Sequence, residues 1–383
     1  MQNARMEQDN EVPYQTEEMA MSMKRRAFLK HSAQALGAAA FAGIPGMTYA
    51  QQKTITAVFA GVILPDKVRP IVENATNVKV NNLPYVSPTD TVAKLTAPGG
   101  TSRYDLMVSV TNFMRGPLLG ERDGQELAMA LDLSKVPNAA KLLPLFKDET
   151  IRRAGKTYAV PIFWGYDSVI YNKKKIPEDA ALTQSWKVLF DDKYAGRVAL
   201  RDDAHQSIAA ASLAMGHKKP FEMDTKDLGE VTKFLIAKKK NFRTLWTQFG
   251  EAVNMMSSGE VDAMYGWIVM RAVLQRRGMD VTNNWPTDGL LFWNQAAFIP
   301  KQAPNPNEAH AVLNAMCGVE YGMALTRETE YLVTSAGTAA ALSAEDRRKY
   351  GYDILERKLN LVPLAWPKSM DSWIEAWGRV KAA

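Results

Sequence analysis

The sequence AVPIFWG (residues 159–165), followed shortly by VIYN (residues 169–172), lies near the middle of the 383-residue chain. Both runs are apolar and rich in β-branched and aromatic residues, a composition typical of buried strands. Gly165 separates the two runs. The pattern predicts two strands, residues 157–164 and 168–172, with a glycine between them.

Strand and helix signals alternate on both sides of this stretch. Before it, the pattern predicts strands at 54–60, 78–83 and 104–110, with helices at 65–76 and 89–95. This βαβαβ order indicates a parallel sheet covered by helices. A second alternating set follows from residue 185 to residue 299, and the chain beyond it is mainly helical. Two sets connected by strands predict an α/β protein with two lobes rather than one long sheet, and the chain length suits two domains.

The first fifty residues have the features of an export signal. The pair Arg25-Arg26 precedes an apolar run at 33–47 and the small-residue site TYA at 48–50. This order predicts a secretory signal peptide, and the twin arginine resembles the signal of the Tat pathway, although Lys24 departs from that pattern. The apolar run is shorter than the roughly 20 residues of a membrane span. We expect residues 1–50 to be cleaved after Ala50 or kept as an anchor, with Met21 or Met23 as alternative starts.

Composition excludes several classes of site. The single cysteine, Cys317, excludes an intramolecular disulfide framework and a cysteine-rich metal site, and the four histidines are scattered along the chain. The net charge of +6 is unchanged by removal of residues 1–50, which carry five basic and five acidic residues. An exported protein meets little nucleic acid, so we expect none as a partner, and we expect no metal and no cofactor.

Tryptophans mark several predicted strand ends. All nine lie between Trp164 and Trp377. Trp164 ends one predicted strand, Trp267 follows a second, and Trp293 lies at the start of a third. Ligands of α/β proteins bind beyond the carboxyl ends of strands, so these three indoles could line a cleft. An ordinary place in the core is the alternative for each of them.

An ordered series of short motifs carries a family resemblance. After AVPIFWG come SW (185–186), RDDA (201–204), MSSGEVD (256–262), GW (266–267), WP (285–286) and FW (292–293). The series resembles the periplasmic solute-binding proteins of ABC transporters, most closely the spermidine/putrescine-binding type. The resemblance implies a type II fold, in which two α/β lobes joined by crossing strands close over a ligand like a Venus flytrap. It implies one lobe from residues 51–165 and 289–338, and another from residues 166–288 and 339–383.

The resemblance also implies a ligand site. Asp203 matches one carboxylate of the polyamine binders, but the next two acids of that pattern appear as Gln206 and Gln295, and two tyrosines appear as Thr111 and Asn112. The predicted ligand-binding residues are Asp203, Trp267, Trp293, Trp164, Gln206, Gln295, Thr111 and Tyr85. An ammonium without a carboxylate partner is costly to bury, so we expect a small polar solute with at most one or two amines. We expect Arg201 to pair with Asp202, and contact with an acid group of the ligand is the alternative.

Two other functions remain open from the sequence. A ligand-binding protein that signals to a membrane receptor would share these features, and the Tat route also carries enzymes. The chain contains no Gly-x-Ser-x-Gly elbow and no glycine-rich dinucleotide loop after its first strand. His205 beside Asp203 is the only acid/base pair of interest, and we interpret it as a surface histidine at a helix start. We therefore predict a periplasmic, monomeric solute-binding protein without catalytic residues, which delivers its ligand to an inner-membrane permease.

Overall fold

The computed structural model describes residues 52–121, 124–147 and 149–383. The predicted signal peptide, residues 1–50, lies outside these ranges. In the part of the chain that is described, no helix is long and apolar enough to span a membrane.

Twelve strands are present in the described residues, and most follow the predicted pattern. They are β1 (Lys53–Phe59), β2 (Val78–Pro84), β3 (Leu106–Val110), β4 (Ile151–Arg153), β5 (Lys156–Asn172), β6 (Val198–Arg201), β7 (Phe242–Trp246), β8 (Ala263–Trp267), β9 (Val281–Asn283), β10 (Leu290–Phe298), β11 (Leu332–Val333) and β12 (Leu361–Pro363). Strand β7 was not expected from the sequence, since only Trp246 of its five residues is buried.

The helices of the described residues cover these strands. They are α1 (Arg69–Thr76), α2 (Pro88–Thr96), α3 (Thr111–Leu119), α4 (Ala180–Thr183), α5 (Ala204–Ala214), α6 (Thr225–Ala237), α7 (Phe249–Ser257), α8 (Ile268–Arg276), α9 (Pro306–Met316), α10 (Val319–Thr329), α11 (Ala336–Ala341), α12 (Ala344–Tyr350) and α13 (Met370–Ala382). The first begins four residues later than predicted, with Pro70 rather than Pro65 in its first turn.

The strands form two parallel groups joined by antiparallel strands. Strand β1 pairs in parallel with β2 and β3, and β6 pairs in parallel with β7 and β8. Between these groups, β5 and β10 run antiparallel to each other and to their neighbours β8 and β3. The resulting order is β2-β1-β3-β10-β5-β8-β6-β7. The expected α/β lobes are therefore present, but their strands are hydrogen-bonded into one continuous sheet, which the sequence interpretation did not anticipate.

The middle of the chain forms one strand instead of the two predicted. β5 continues through Gly165 for 17 residues, and 15 of them are buried. Gly165 interrupts neither the strand nor its pairing, because it lies opposite Trp293 of β10. The crossing segment is therefore an extended, paired strand. The lobe boundaries stay a prediction.

Hydrophobic residues form separate clusters, and the crossing strands β5 and β10 contribute residues to both of the large ones. One large cluster contains β1, α1, α9 and Trp164, and another contains β6, α5, α6 and Trp373. Cys317 follows α9 in the first cluster and is 2% exposed. Burial raises the pKa of its thiol to about 12, so the thiol is protonated near neutral pH.

Candidate functional site

A cavity of about 430 Å³ lies where the two parallel groups of strands meet the crossing strands. Its lining includes residues at the carboxyl ends of β3, β6 and β8, at the first turns of α3 and α5, and on β5 and β10. Carboxyl ends of strands are where α/β proteins bind ligands. Of the predicted site residues, the lining contains Asp203, Gln206, Trp267, Trp293 and Gln295.

Trp293 and Asp167 form one side of the cavity. Because Gly165 has no side chain, the indole of Trp293 lies directly against the crossing strand, and a Cβ at position 165 would come within 2.5 Å of Cζ2 of Trp293. The indole Nε1–H donates to Oδ1 of Asp167 at 3.0 Å. The glycine of AVPIFWG is thus required by the close approach of Trp293 rather than by a bend.

Asp167 is a fully buried carboxylate in an apolar strand. The Tyr265 hydroxyl donates to its Oδ2 at 2.6 Å, while Trp293 donates to its other oxygen. Burial raises the pKa of Asp167 from its ordinary value of 3.8 to about 6, although the Tyr265 hydrogen bond and the charge of Arg201 act in the opposite direction. The sequence interpretation missed this residue, but an acid within the apolar run of residues 157–172 was a signal that could have revealed it.

Arg201 ends β6 and lines the cavity. Its guanidinium carbon is 5.2 Å from the ring centroid of Trp267 and 5.6 Å from that of Trp246. One guanidinium nitrogen donates to Oε1 of Gln206. The expected pairing with Asp202 is wrong, because Asp202 turns away and accepts hydrogen bonds from Trp377 and Lys381.

Asp203 is the N-cap of α5. Its Oδ1 accepts a hydrogen bond from the backbone N–H of Gln206 at 2.9 Å, and this bond satisfies one of the free donors of the helix start. Among the described residues it forms no ion pair. Its carboxylate therefore combines a structural role with a place in the cavity wall.

Gln295 and Thr111 have different environments although both were predicted as ligand residues. Oε1 of Gln295 is buried without a hydrogen-bond partner in the described part of the chain, and the side chain lines the cavity. Thr111 is buried and donates through Oγ1 to Oδ1 of Asn294, whose Nδ2 donates to Glu149 at 3.1 Å. Thr111 is outside the cavity lining, and its hydroxyl is instead used in a hydrogen bond to a buried side chain of β10.

Trp164 also lies outside the cavity, which corrects the expectation of three cleft tryptophans. It is fully buried, its Nε1–H donates to the Val333 carbonyl at 3.0 Å, and its ring packs on Phe146. Side chains alternate between the two faces of a strand. Gly165 and Asp167 face the cavity side of β5, so Trp164 faces the core.

Two further residues differ from their predicted places. Tyr85 follows β2 and packs beside a smaller hydrophobic cluster that contains Val58 and Met107, outside the cavity lining. His205 lines the cavity, but it is not a surface residue. Its Nε2–H donates to the Ala365 carbonyl at 2.7 Å, and burial lowers the pKa of the ring. The imidazole is therefore neutral near pH 7.

An aromatic contact lies at the edge of the cavity. Phe113 of α3 and Trp366, which follows β12, meet edge to face with ring centroids 4.1 Å apart. Both line the cavity, and 37% of Trp366 is exposed. Neither residue was predicted, since the helix that carries Phe113 was not expected and an aromatic side chain in a loop, such as Trp366, has no periodic signal. Nowhere in the described residues, the cavity included, is a group of three or more histidine, cysteine or acidic side chains placed to hold a metal ion.

The fold and the cavity are those of a solute-binding protein. Residues 71–346 match the family described as bacterial extracellular solute-binding protein, and the chain belongs to this family. This is a family of solute-binding proteins rather than of enzymes.

Several known proteins are similar to the chain. A spermidine/putrescine-binding periplasmic protein of Haemophilus influenzae is 24% identical over 66% of this chain and 67% of its own length. A putrescine-binding periplasmic protein of Escherichia coli is 24% identical over 88% of this chain and 94% of its own length. The solved structure of a spermidine/putrescine ABC transporter substrate-binding protein from Streptococcus pneumoniae has a TM-score of 0.73 at 18% identity, with 86% of this chain and 98% of that chain covered. The predicted type II, two-lobed fold is confirmed.

Proposed function

We propose that the chain is the extracytoplasmic binding component of an ABC importer. It captures a small organic amine in the cavity at the crossing strands and delivers it to a permease in the inner membrane. In this proposal the mature protein is a periplasmic monomer exported by the Tat pathway. The observation that carries the proposal is a cavity whose lining includes the indoles of Trp267 and Trp293 and the partly exposed carboxylate of Asp203, in a member of a solute-binding family.

The chemistry of these three residues suits an ammonium group. Indole faces attract cations, and a carboxylate forms charge-assisted hydrogen bonds with N–H donors. Polyamines carry several ammonium groups, however, and the cavity has amides at Gln206 and Gln295 where acids were expected. This composition favours a ligand with one or two amines over a long polyamine such as spermidine.

Calorimetric titration of the purified mature chain tests the proposal. The panel contains monoamines, diamines, spermidine and amino acids, with sugars and dicarboxylates for comparison. We expect at least one of the small amines to bind, and at 100 times its Kd it should stabilise the fold by about 2.7 kcal/mol. Binding of a sugar or dicarboxylate with no amine bound would refute the proposal.

A matched pair of tryptophan variants locates the binding. Trp267→Ala removes an indole of the cavity. Trp285→Ala removes an indole outside the cavity lining, whose ring centroid is 4.3 Å from Cζ of Arg357. We expect Trp267→Ala to weaken amine binding at least about tenfold, since a desolvated cation–π contact contributes about 2 kcal/mol. Trp285→Ala should leave the affinity within about twofold.

A further inference from the structure

Arg201 is a cation in a cavity that the proposed function assigns to a cationic ligand. Its guanidinium lines the cavity together with the carboxylates of Asp167 and Asp203. In the described part of the chain, Arg201 forms no ion pair, although both acids line the same cavity. An arginine that stabilised the fold through charge would instead be expected to contact a carboxylate.

The guanidinium is held in place by contacts that include no carboxylate. The rings of Trp246 and Trp267 lie within 5.6 Å of its central carbon, and Gln206 accepts one hydrogen bond from it. A guanidinium has five N–H donors in a rigid fork that matches a carboxylate. Arg201 presents such a fork to the cavity, and most of its N–H donors have no acceptor in the described part of the chain. These free donors could bind an anionic group of a ligand.

The two carboxylates of the cavity differ in how they could meet a ligand. Asp167 is fully buried and both of its oxygens accept hydrogen bonds, from Tyr265 and from Trp293. Asp203 is partly exposed, and only its Oδ1 is used, as the cap of α5. A single accessible carboxylate therefore lies two residues along the chain from an accessible guanidinium.

This pair of charges disfavours a diamine. One ammonium could meet Asp203, but the second would enter a cavity that already contains the Arg201 charge and no other accessible carboxylate. Like charges in a partly desolvated site repel, and an unpaired buried ammonium is costly. A ligand with one ammonium and one carboxylate would satisfy both groups.

We infer that the ligand is an amino-acid-type zwitterion, with its carboxylate bound by Arg201 and its ammonium bound by Asp203 and the indole faces of Trp267 and Trp293. This inference rests on the proposed function, because it specifies the ligand class of the same cavity. Arg201 is then the residue that selects an amino acid over a diamine.

Titration of the unmodified mature chain with matched ligands provides the first test. Each ω-amino acid of three to six carbons is compared with the diamine and the monoamine of the same chain length, and α-amino acids are added as a second series. We expect the best amino acid to bind at least tenfold more tightly than its matched diamine and monoamine. A diamine that binds as tightly as every amino acid would overturn the inference and leave the proposed function standing, whereas failure of all amines to bind would remove both.

Variants at position 201 assign the selectivity to the guanidinium. In Arg201→Gln, we expect affinity for the amino acid to fall at least tenfold while affinity for the matched diamine stays equal or rises. Arg201→Lys keeps a charge without the planar fork and should give an intermediate loss for the amino acid. Arg243→Gln, which changes an exposed arginine of β7 outside the cavity lining, is the control and should alter no affinity.

An equal loss of affinity for amino acids and diamines in Arg201→Gln would contradict the inference. If Arg201→Gln lowered the affinities for amino acid and diamine by the same factor, Arg201 would only position Trp267. Urea unfolding of each variant establishes that it is folded, and the ligand comparison in the unmodified chain decides the question without any variant.

Discussion

Asp167 combines a position in the cavity wall with complete burial. Its two hydrogen bonds, from Tyr265 and Trp293, do not offset the loss of hydration, and its pKa is raised to about 6. A raised carboxyl pKa means that the folded chain binds a proton more tightly than the unfolded chain does. The contribution of Asp167 to stability is therefore present below about pH 4 and is lost as the pH rises through about 6.

The variant Asp167→Asn should reveal this dependence. Relative to the variant, the unmodified chain should lose about 2.5 kcal/mol of unfolding free energy between pH 4 and pH 7, because a shift of about two pKa units corresponds to roughly 3 kcal/mol and most of it falls in this range. Urea unfolding of both proteins at pH 4, 5, 6 and 7 measures the difference, in which the other titrating groups cancel. A difference that does not vary with pH would contradict the prediction.

Gly165 determines where an indole of the cavity lies. Gly165→Ala would place a Cβ 2.5 Å from Trp293, so the ring must move and its hydrogen bond to Asp167 must lengthen. We expect a loss of about 1–3 kcal/mol in the free energy of unfolding, together with weaker ligand binding. Urea unfolding and near-UV circular dichroism measure the two effects on the fold and on the tryptophan environment.

The control for this variant is Gly229→Ala in α6. A Cβ there meets no atom within 4 Å, so the same substitution should be neutral or stabilise the chain by up to about 1 kcal/mol. Equal effects of the two substitutions would show that steric contact with Trp293 is not the cause.

At the scale of elements, the N-cap of α5 contributes both to stability and to the proposed binding site. Asp203 caps the helix, so Asp203→Ala should cost about 1 kcal/mol of stability in addition to any loss of ligand. Asn is as good a cap as Asp but carries no charge. We therefore expect Asp203→Asn to stay within about 0.5 kcal/mol of the unmodified chain while its affinity for the ligand amine falls about tenfold or more.

Urea unfolding and calorimetric titration of the same two variants measure these effects separately. Unchanged affinity in Asp203→Asn would mean that Asp203 acts only as a cap. A loss of stability as large as that of Asp203→Ala would mean that the cap requires the charge.

Comparison of the predicted and observed helices and strands shows which of them can be predicted from the sequence. Helix α2 lies within one residue of its predicted bounds at each end, and the parallel pairing of β1 with β2 and β3 is confirmed, because these elements follow simple local patterns. The break predicted at Gly165 is wrong, since the reason for that glycine is the contact of Trp293 from a strand more than a hundred residues away. Long-range contacts of this kind leave no local pattern.

The same distinction applies to the cavity. Asp203, Trp267 and Trp293 line it as predicted, because each lies on a crossing strand or at the carboxyl end of a strand of the sheet. Trp164 lies in the core because strand alternation assigns it to the other face of β5. The position of Phe113 against Trp366 depends on how α3 meets the segment after β12, and no sequence pattern encodes that contact.

For the whole molecule, the contact of Phe113 with Trp366 connects the two predicted lobes beside the cavity. Phe113 belongs to the predicted first lobe and Trp366 to the second, and their rings meet at the edge of the cavity. A ligand that leaves through this edge must separate them. We expect Trp366→Ala to raise koff about fivefold or more while kon changes less than about twofold, as affinity differences within one site arise mainly from koff.

Stopped-flow fluorescence with the ligand found by titration measures both rate constants. Ile374→Ala on α13 is the control, because 55% of Ile374 is exposed and it lies outside the cavity lining. A change in kon alone would indicate that Trp366 hinders entry and does not retain the ligand.

Because Cys317 is buried, introduced cysteines on the surface can be labelled specifically while the native thiol stays in place. Its thiol is 2% exposed and protonated near neutral pH, so it should not react with maleimide dyes. A pair of new cysteines at Leu133 and Ile374, which are 44% and 55% exposed, could then carry a donor and an acceptor dye without removal of the native thiol. Energy transfer between the dyes would record opening and closing of single molecules as ligand is added.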